Sequence, residues 1–329
     1  MKLRRVRTGS DLHLELLAPQ GWVAVGKAIA RIPPPSGDAA VRWGSDIVAL
    51  LGAPADVREA MAVAARDIDP EATREADVVI PFAPRSYRDF MLFEAHAINA
   101  ARGFVNRFMP RAAPIVRTYE KVTGTTFPKL RPHALWYRQP IYYMGNHLTF
   151  VTDADDVTMP SYTRALDYEL ELGFVLAHPL LDARPETAEA AIGGFVVLND
   201  FSARDVQLAE MASGLGPQKA KHFCNAISEV VVTADEILPR WRDLKGHVRL
   251  NGERVAETAT AGARWSLGEM LAHASRCEPL QTGEFFGSGT LPSGSGIETG
   301  RLLEAGDTIE IGIVGIGTLT NRIVAGGAS

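Results

Sequence analysis

From residue 135 onward, short apolar runs rich in Val, Ile and Phe recur between Gly, Pro, Asn and Asp. Runs of this kind read as strands, predicted here at 135–137, 147–151, 168–176, 192–198, 229–233, 247–251 and 307–314. Two stretches with helical spacing, 203–211 and 267–276, interrupt them. Strands and helices do not alternate regularly, so a doubly wound nucleotide fold is disfavoured and a β-rich α+β fold is expected. The N-terminal stretch has a different texture. It predicts short strands at 13–17 and 22–30, a loop at Pro33, Pro34 and Pro35, and an Ala-rich helix near 55–66 behind Pro54. Val78, Val79 and Ile80 form a short strand closed by prolines, and a boundary is placed there. It divides a small α/β-containing N-terminal domain (1–80) from a larger domain (81–329). Residues 86–101 then read as a helix opened by a Ser86/Asp89 capping box.

Length agrees with two units, since 329 residues exceed what one compact core usually holds. Hydrophobic (46%) and charged (22%) shares are those of an ordinary globular protein. The net charge is −5 and no basic tract stands out, so neither nucleic acid nor a membrane surface is expected as a partner. No apolar run approaches the roughly 20 residues of a spanning helix. The basic N-terminus lacks the apolar stretch of a signal peptide. Cys224 and Cys277 read as reduced core thiols, which points to the cytoplasm. The chain has no CxxC or HExxH, so a zinc site is disfavoured, and Gly312, Gly315 and Gly317 fail the dinucleotide pattern.

Candidate chemistry gathers in a few segments. On a strand, Asp167, Glu169 and Glu171 project to one side. They form either an acidic solvent face or hard oxygen ligands whose mutual repulsion a divalent cation removes. Asp200 ends an apolar strand, where it is either a helix cap or a further ligand. Arg204 and Gln207, three apart, share a helix face and suit a carboxylate or carbonyl of a ligand. Asp89 and His96, two turns apart on the expected helix, share a face. A histidine beside a metal carboxylate is a candidate general base. The glycines around Gly287 and Gly289 allow close backbone approach to a ligand.

Asp-Phe-x-x-Phe-Glu-x-His (Asp89 to His96) is followed by Asp-Tyr-Glu-x-Glu from Asp167 and Asn-Asp-x-Ser-Ala-Arg-Asp-x-Gln from Asn199. Leu-Gly-Pro-x-x-x-Lys ending at Lys221, then Gly-Ser-Gly-Thr from Gly287 with the later Glu298, completes the series. In content and order, these motifs resemble the fumarylacetoacetate hydrolase family over residues 78–325. The resemblance implies a mixed β-sandwich roll, a homodimer, and one divalent cation (Mg²⁺, or Mn²⁺ or Ca²⁺) on Asp89, Glu169, Glu171 and Asp200. It implies that His96 is the catalytic histidine, that Glu298 orients it and that Lys221 stabilises developing charge. Arg204 and Gln207, with Tyr143 and Thr290, fall on substrate-side positions. Met91 departs from the pattern, standing where fumarylacetoacetase has a tyrosine that reaches the substrate, so the substrate is expected to differ from fumarylacetoacetate.

The implied activity is hydrolysis of a C–C bond in a 1,3-diketone or acylpyruvate-type small oxo acid, of the sort met in aromatic compound catabolism. His96 and Glu298 would activate water. The same site would also serve a decarboxylase, hydratase or oxo-acid tautomerase. A metal-binding scaffold without catalysis would predict a missing base or a broken ligand set, and neither is seen.

Overall fold

The strand Leu170–Leu176 organises the molecule. In the computed structural model, which describes residues 1–33, 37–70 and 77–327, this strand is buried on both faces. Leu170, Leu172, Phe174 and Leu176 enter one apolar core and Val175 enters another. A strand covered on both faces needs a near-continuous apolar run. Ile192–Asn199 lies antiparallel on one side of it and Phe285–Gly287 on the other. Phe285–Gly287 pairs in parallel with Tyr87–Phe90, which pairs antiparallel with Tyr142–Gly145.

Beyond Ile192–Asn199 the same sheet continues through Val230–Thr233, Lys2–Thr8, Asp11–Ala18 and Gly21–Ala24. A second, five-stranded sheet runs in the order Glu253–Ala259, Lys245–Leu250, Thr308–Ile313, Gly317–Ala325, Asp156–Met159. Its Ile309, Ile311 and Leu319 share a core with Leu170 and Phe174, which gives a layered, mixed α+β fold. Among the described residues no sheet closes into a barrel.

The later expected strands form close to their predicted places, as do the helices Ala55–Ala65, Arg204–Ala212 and Leu267–Ala274. Other expectations are corrected. The helix expected over 86–101 divides into the strand Tyr87–Phe90 and the helix Glu94–Phe108. Pairing on both edges of Tyr87–Phe90 outweighs local helical spacing, and the Ser86/Asp89 capping box does not form. Ser86 instead donates to Glu284 at 2.7 Å. The strand expected over 22–30 ends at Ala24, and Val25–Ile29 is helical. Residues 135–137 form a turn, in which Trp136 N–H bonds the carbonyl of His133. Its buried indole donates to the backbone oxygen of Met91 at 2.5 Å. Of 147–151 only Phe150–Val151 is strand. Pro34 and Pro35 lie outside the described residues.

Candidate active site

Three strands bring carboxylates to one place. In Tyr87–Phe90, Asp89 shares a face with Tyr87, and in Leu170–Leu176, Glu171 shares a face with Val175. Tyr87 and Val175 belong to the same core, so both carboxylates project to one side of the sheet. Gly287 lies between them, opposite Asp89 in one pairing and Gly173 in the other. A Cβ on Gly287 would stand 2.4 Å from Asp89 Oδ1 and 2.6 Å from Glu171 Oε2. The absence of a side chain there is what lets the two acids converge. Asp200 follows the end of Ile192–Asn199, and its backbone N–H bonds the carbonyl of Glu169 at 3.1 Å. It does not cap the next helix, whose N-cap is Ala203.

Asp89, Glu171 and Asp200 each place an oxygen within 4.8 Å of the others. Asp89 Oδ1 and Asp200 Oδ1 are buried without a hydrogen-bond partner. Burial and the charge of Asp200 push Asp89 well above the usual carboxylate range. Burial, Asp89 and Asp200 do the same to Glu171. Burial raises Asp200 too, against the pull of Lys221. Uncompensated carboxylates in a dry site are costly, and hard oxygen donors suit a divalent cation. The donor set therefore fits the expected ion.

Glu169 is held differently. Its Oε1 accepts from Arg204 Nη2 at 2.6 Å and its Oε2 accepts from Lys221 Nζ. Burial pushes the Glu169 carboxyl up, but Arg204, Lys221 and His96 outweigh it, and the group lies below the usual range. Glu169 is thus adjacent to the three-oxygen cluster rather than part of it. Arg204 also donates to Asp167 at 2.7 Å and to Gln207 Oε1 at 2.9 Å. Asp167 accepts in addition from the backbone of Gly296 and Ile297, so it anchors the start of the short helix Gly296–Thr299. Lys221 donates to Asp200 Oδ2 at 2.6 Å, and Tyr143 O–H reaches the same oxygen at 2.6 Å. Thr290 Oγ1 lies 3.4 Å from Glu171 Oε1.

His96 sits in the first turn of Glu94–Phe108, not on a helix shared with Asp89. Its Nδ1 lies 2.9 Å from Glu298 Oε2, and its Nε2 lies 3.7 Å from Glu169 Oε1. Glu298 is itself fixed, accepting from Ser293 N–H at 3.0 Å and Ser295 O–H at 2.9 Å. A cavity of about 820 Å³ opens over this assembly. Asp89, His96, Glu169, Glu171, Arg204, Gln207, Lys221, Tyr143 and Thr290 all line it, as does Met91. Asp200 stands behind Tyr143 and Lys221, and Glu298 behind His96. The structure thus gathers every residue singled out from the motifs around one cavity. Tyr87 was missed: its hydroxyl is buried, has no partner, and is pushed well up by burial and by Asp200 and Asp89. Reading Ser-Tyr-Arg-Asp-Phe as an alternating strand would have found it.

A family model described as "Fumarylacetoacetate (FAA) hydrolase C-terminal" matches residues 120–324, more than half of the chain. The chain belongs to the fumarylacetoacetate hydrolase family. Asp89 and His96 precede the matched stretch, so their place in the family site rests on the geometry above. Oxaloacetate tautomerase FAHD1, mitochondrial, of Homo sapiens is 28% identical over 185 residues, spanning 56% of this chain and 81% of that protein. Fumarylacetoacetate hydrolase from Exiguobacterium antarcticum aligns with a TM-score of 0.70 at 21% identity, covering 99% of this chain and 100% of that one. Fumarylpyruvate hydrolase from Pseudomonas aeruginosa, in complex with Mn²⁺ and pyruvate, aligns with a TM-score of 0.57 at 21% identity over 76% of this chain and 92% of that one. The fumarylacetoacetate hydrolase fold is therefore that of this chain. The family's named activities span hydrolysis and tautomerisation.

Proposed function

We propose that this protein is a metal-dependent hydrolase that cleaves the C–C bond of an acylpyruvate-type oxo acid or 1,3-diketone. The observation that carries the reading is the His96–Glu298 pair at 2.9 Å, beside the carboxylate cluster on a cavity wall. Asp89, Glu171 and Asp200 would hold Mg²⁺ or Mn²⁺, with Glu169 next to them. The bound ion supplies Lewis acidity toward the carbonyl oxygens of the substrate.

The chain's own groups do the rest. Glu298 accepts from His96 Nδ1–H, which leaves Nε2 as the basic nitrogen. Nε2 takes a proton from water, and the oxygen of that water attacks the acyl ketone carbon. Lys221 places positive charge beside the oxyanion that forms. The C–C bond then breaks to a carboxylic acid and the enolate of the 2-oxo acid, and the proton held on His96 Nε2 passes to the enolate carbon. Arg204 acts through Gln207: it fixes Oε1, so the amide NH₂ is left to donate to the substrate. Tyr143 and Thr290 shape the substrate side. All these residues lie in 81–329, the proposed catalytic unit, and the proposed assembly is a homodimer.

The likeness to oxaloacetate tautomerase favours a second reading, an oxo-acid tautomerase or decarboxylase using the same base. Product analysis separates the two. With Mn²⁺ and an acylpyruvate, hydrolysis releases two acids. Enolisation without cleavage, or release of carbon dioxide from oxaloacetate, would replace the first reading by the second. Turnover that survives complete chelation would sink both.

A further inference from the structure

We infer that the site is built for 2-oxo acids whose far end is extended and apolar, an alkyl or aryl acyl group rather than a second carboxylate. This inference rests on the reading of the carboxylate cluster as the seat of a cation and an oxo acid.

The first support is the wall made by Glu94–Phe108. After His96, the residues it turns to the cavity are Ala97, Ala100, Ala101 and Phe104. These positions share a helix face. At 1.5 Å per residue, the stretch from His96 to Phe104 is about 12 Å long. Between His96 and Phe104 the three alanines leave this wall low, as a trough rather than a packed ridge. The facing wall is Arg204–Ala212, whose Leu208 and Met211 also line the cavity, on the same helix face as Arg204 and Gln207. Leu208 is 37% and Met211 56% exposed. Two large apolar side chains therefore face the cavity with no cover among the described residues of this chain, a condition that an apolar ligand relieves. Met91 lines the same cavity, and thioether side chains adapt to varied apolar shapes.

The second support is the commitment of the interior cations. Each nitrogen of Arg204 already has an acceptor on Asp167, Glu169 or Gln207. Its guanidinium carbon lies 5.9 Å from the ring centroid of Phe104, which covers it. Lys221 is held by Glu169 and Asp200. The other Lys and Arg side chains on the cavity are Lys129 and Arg131, both exposed at its rim. Among Lys and Arg side chains a distal carboxylate would find only those two uncommitted, in water that screens the contact. An apolar chain would find the whole trough.

The test is calorimetry on the full-length protein loaded with Mn²⁺, using unreactive 2-oxo acids of graded length: pyruvate, 2-oxopentanoate, 2-oxohexanoate and 2-oxooctanoate. The diacids 2-oxoglutarate and 2-oxoadipate match the two middle lengths. The expected result is a Kd that falls about three- to fourfold per added methylene, with each diacid weaker than its monoacid. Met211→Lys, at an exposed position the fold tolerates, should flatten the gain with length and tighten the diacids. A Kd that is flat from pyruvate to 2-oxooctanoate overturns the inference, as does 2-oxoadipate binding more tightly than 2-oxohexanoate. Either result, with pyruvate still binding only when Mn²⁺ is present, leaves the reading of the site standing. Pyruvate binding that ignores Mn²⁺ defeats the reading of the site and the inference together.

Discussion

Nδ1 of His96 lies 2.9 Å from Oε2 of Glu298, across 202 residues of sequence. The pair is held from both sides, by the helix Glu94–Phe108 and by the loop donors Ser293 and Ser295. A base oriented in this way contributes about 10²–10⁴ to rate. His96→Ala should therefore lower kcat by about that factor while Mn²⁺ affinity, measured by calorimetry, stays close to wild type. Glu298→Gln keeps the hydrogen-bonding shape and removes the charge, and should cost less than His96→Ala. Wild-type turnover by His96→Ala on a substrate the parent enzyme cleaves would remove His96 from the mechanism.

Gly287 is the second point of leverage. An added methyl would press on both Asp89 and Glu171 at 2.4 and 2.6 Å. Crowding of this kind costs about 1–3 kcal/mol. Gly287→Ala should lower stability in urea by roughly that amount and weaken Mn²⁺ binding at the same time. A variant as stable as the parent, with unchanged ion affinity, would show that the acids do not need that gap.

The three clustered acids set a pH dependence. Burial and mutual repulsion raise Asp89, Glu171 and Asp200 above their usual range. A carboxyl whose folded pKa is raised binds its proton more tightly in the folded state. Its contribution to stability is therefore complete below the unfolded value, about 4. It is lost as pH rises toward the folded one. Mn²⁺ replaces those protons, so the Tm gain on adding Mn²⁺ should grow from pH 5 to pH 8. A gain that shrinks over that range would contradict the assignment.

The two cysteines should differ in reactivity. Burial pushes the Cys224 thiol up to about 12, whereas Cys277 is exposed. At pH 8 only on the order of one Cys224 in ten thousand would be thiolate, the reactive form. Iodoacetamide at that pH should label Cys277 alone in the folded protein and both residues in urea, as read by mass spectrometry. Equal labelling in the folded protein would show that Cys224 is reached by solvent.

Much of the site was legible because residue type carries it. Four acids, a histidine and a lysine in family order point to one ion whatever their local structure, and the cavity gathers them. What could not be read is the division of labour among them. Nothing in Asp-Tyr-Glu-x-Glu says that Glu169 will be consumed by Arg204 and Lys221 while Glu171 meets Asp89. That depends on where the chain breaks between Asp167 and Leu170, a matter of pairing with distant segments. The same cause hid Tyr87. Its segment has helical spacing, and pairing with the distant segments Phe285–Gly287 and Tyr142–Gly145 makes it a strand. Leu170–Leu176 and Ile192–Asn199 were read well because their apolar runs are buried on both sides and admit few alternatives.

The strand Lys2–Thr8 pairs with Val230–Thr233, placing Leu3 opposite Val231. Without it, Val230, Val231 and Val232 would present a bare, β-branched row of unpaired amides and carbonyls, the type of surface on which chains stack and precipitate. The first residues therefore seal the strand beside the one that leads to Asp200, and the sheet's open edge moves outward to Gly21–Ala24, several strands from the site.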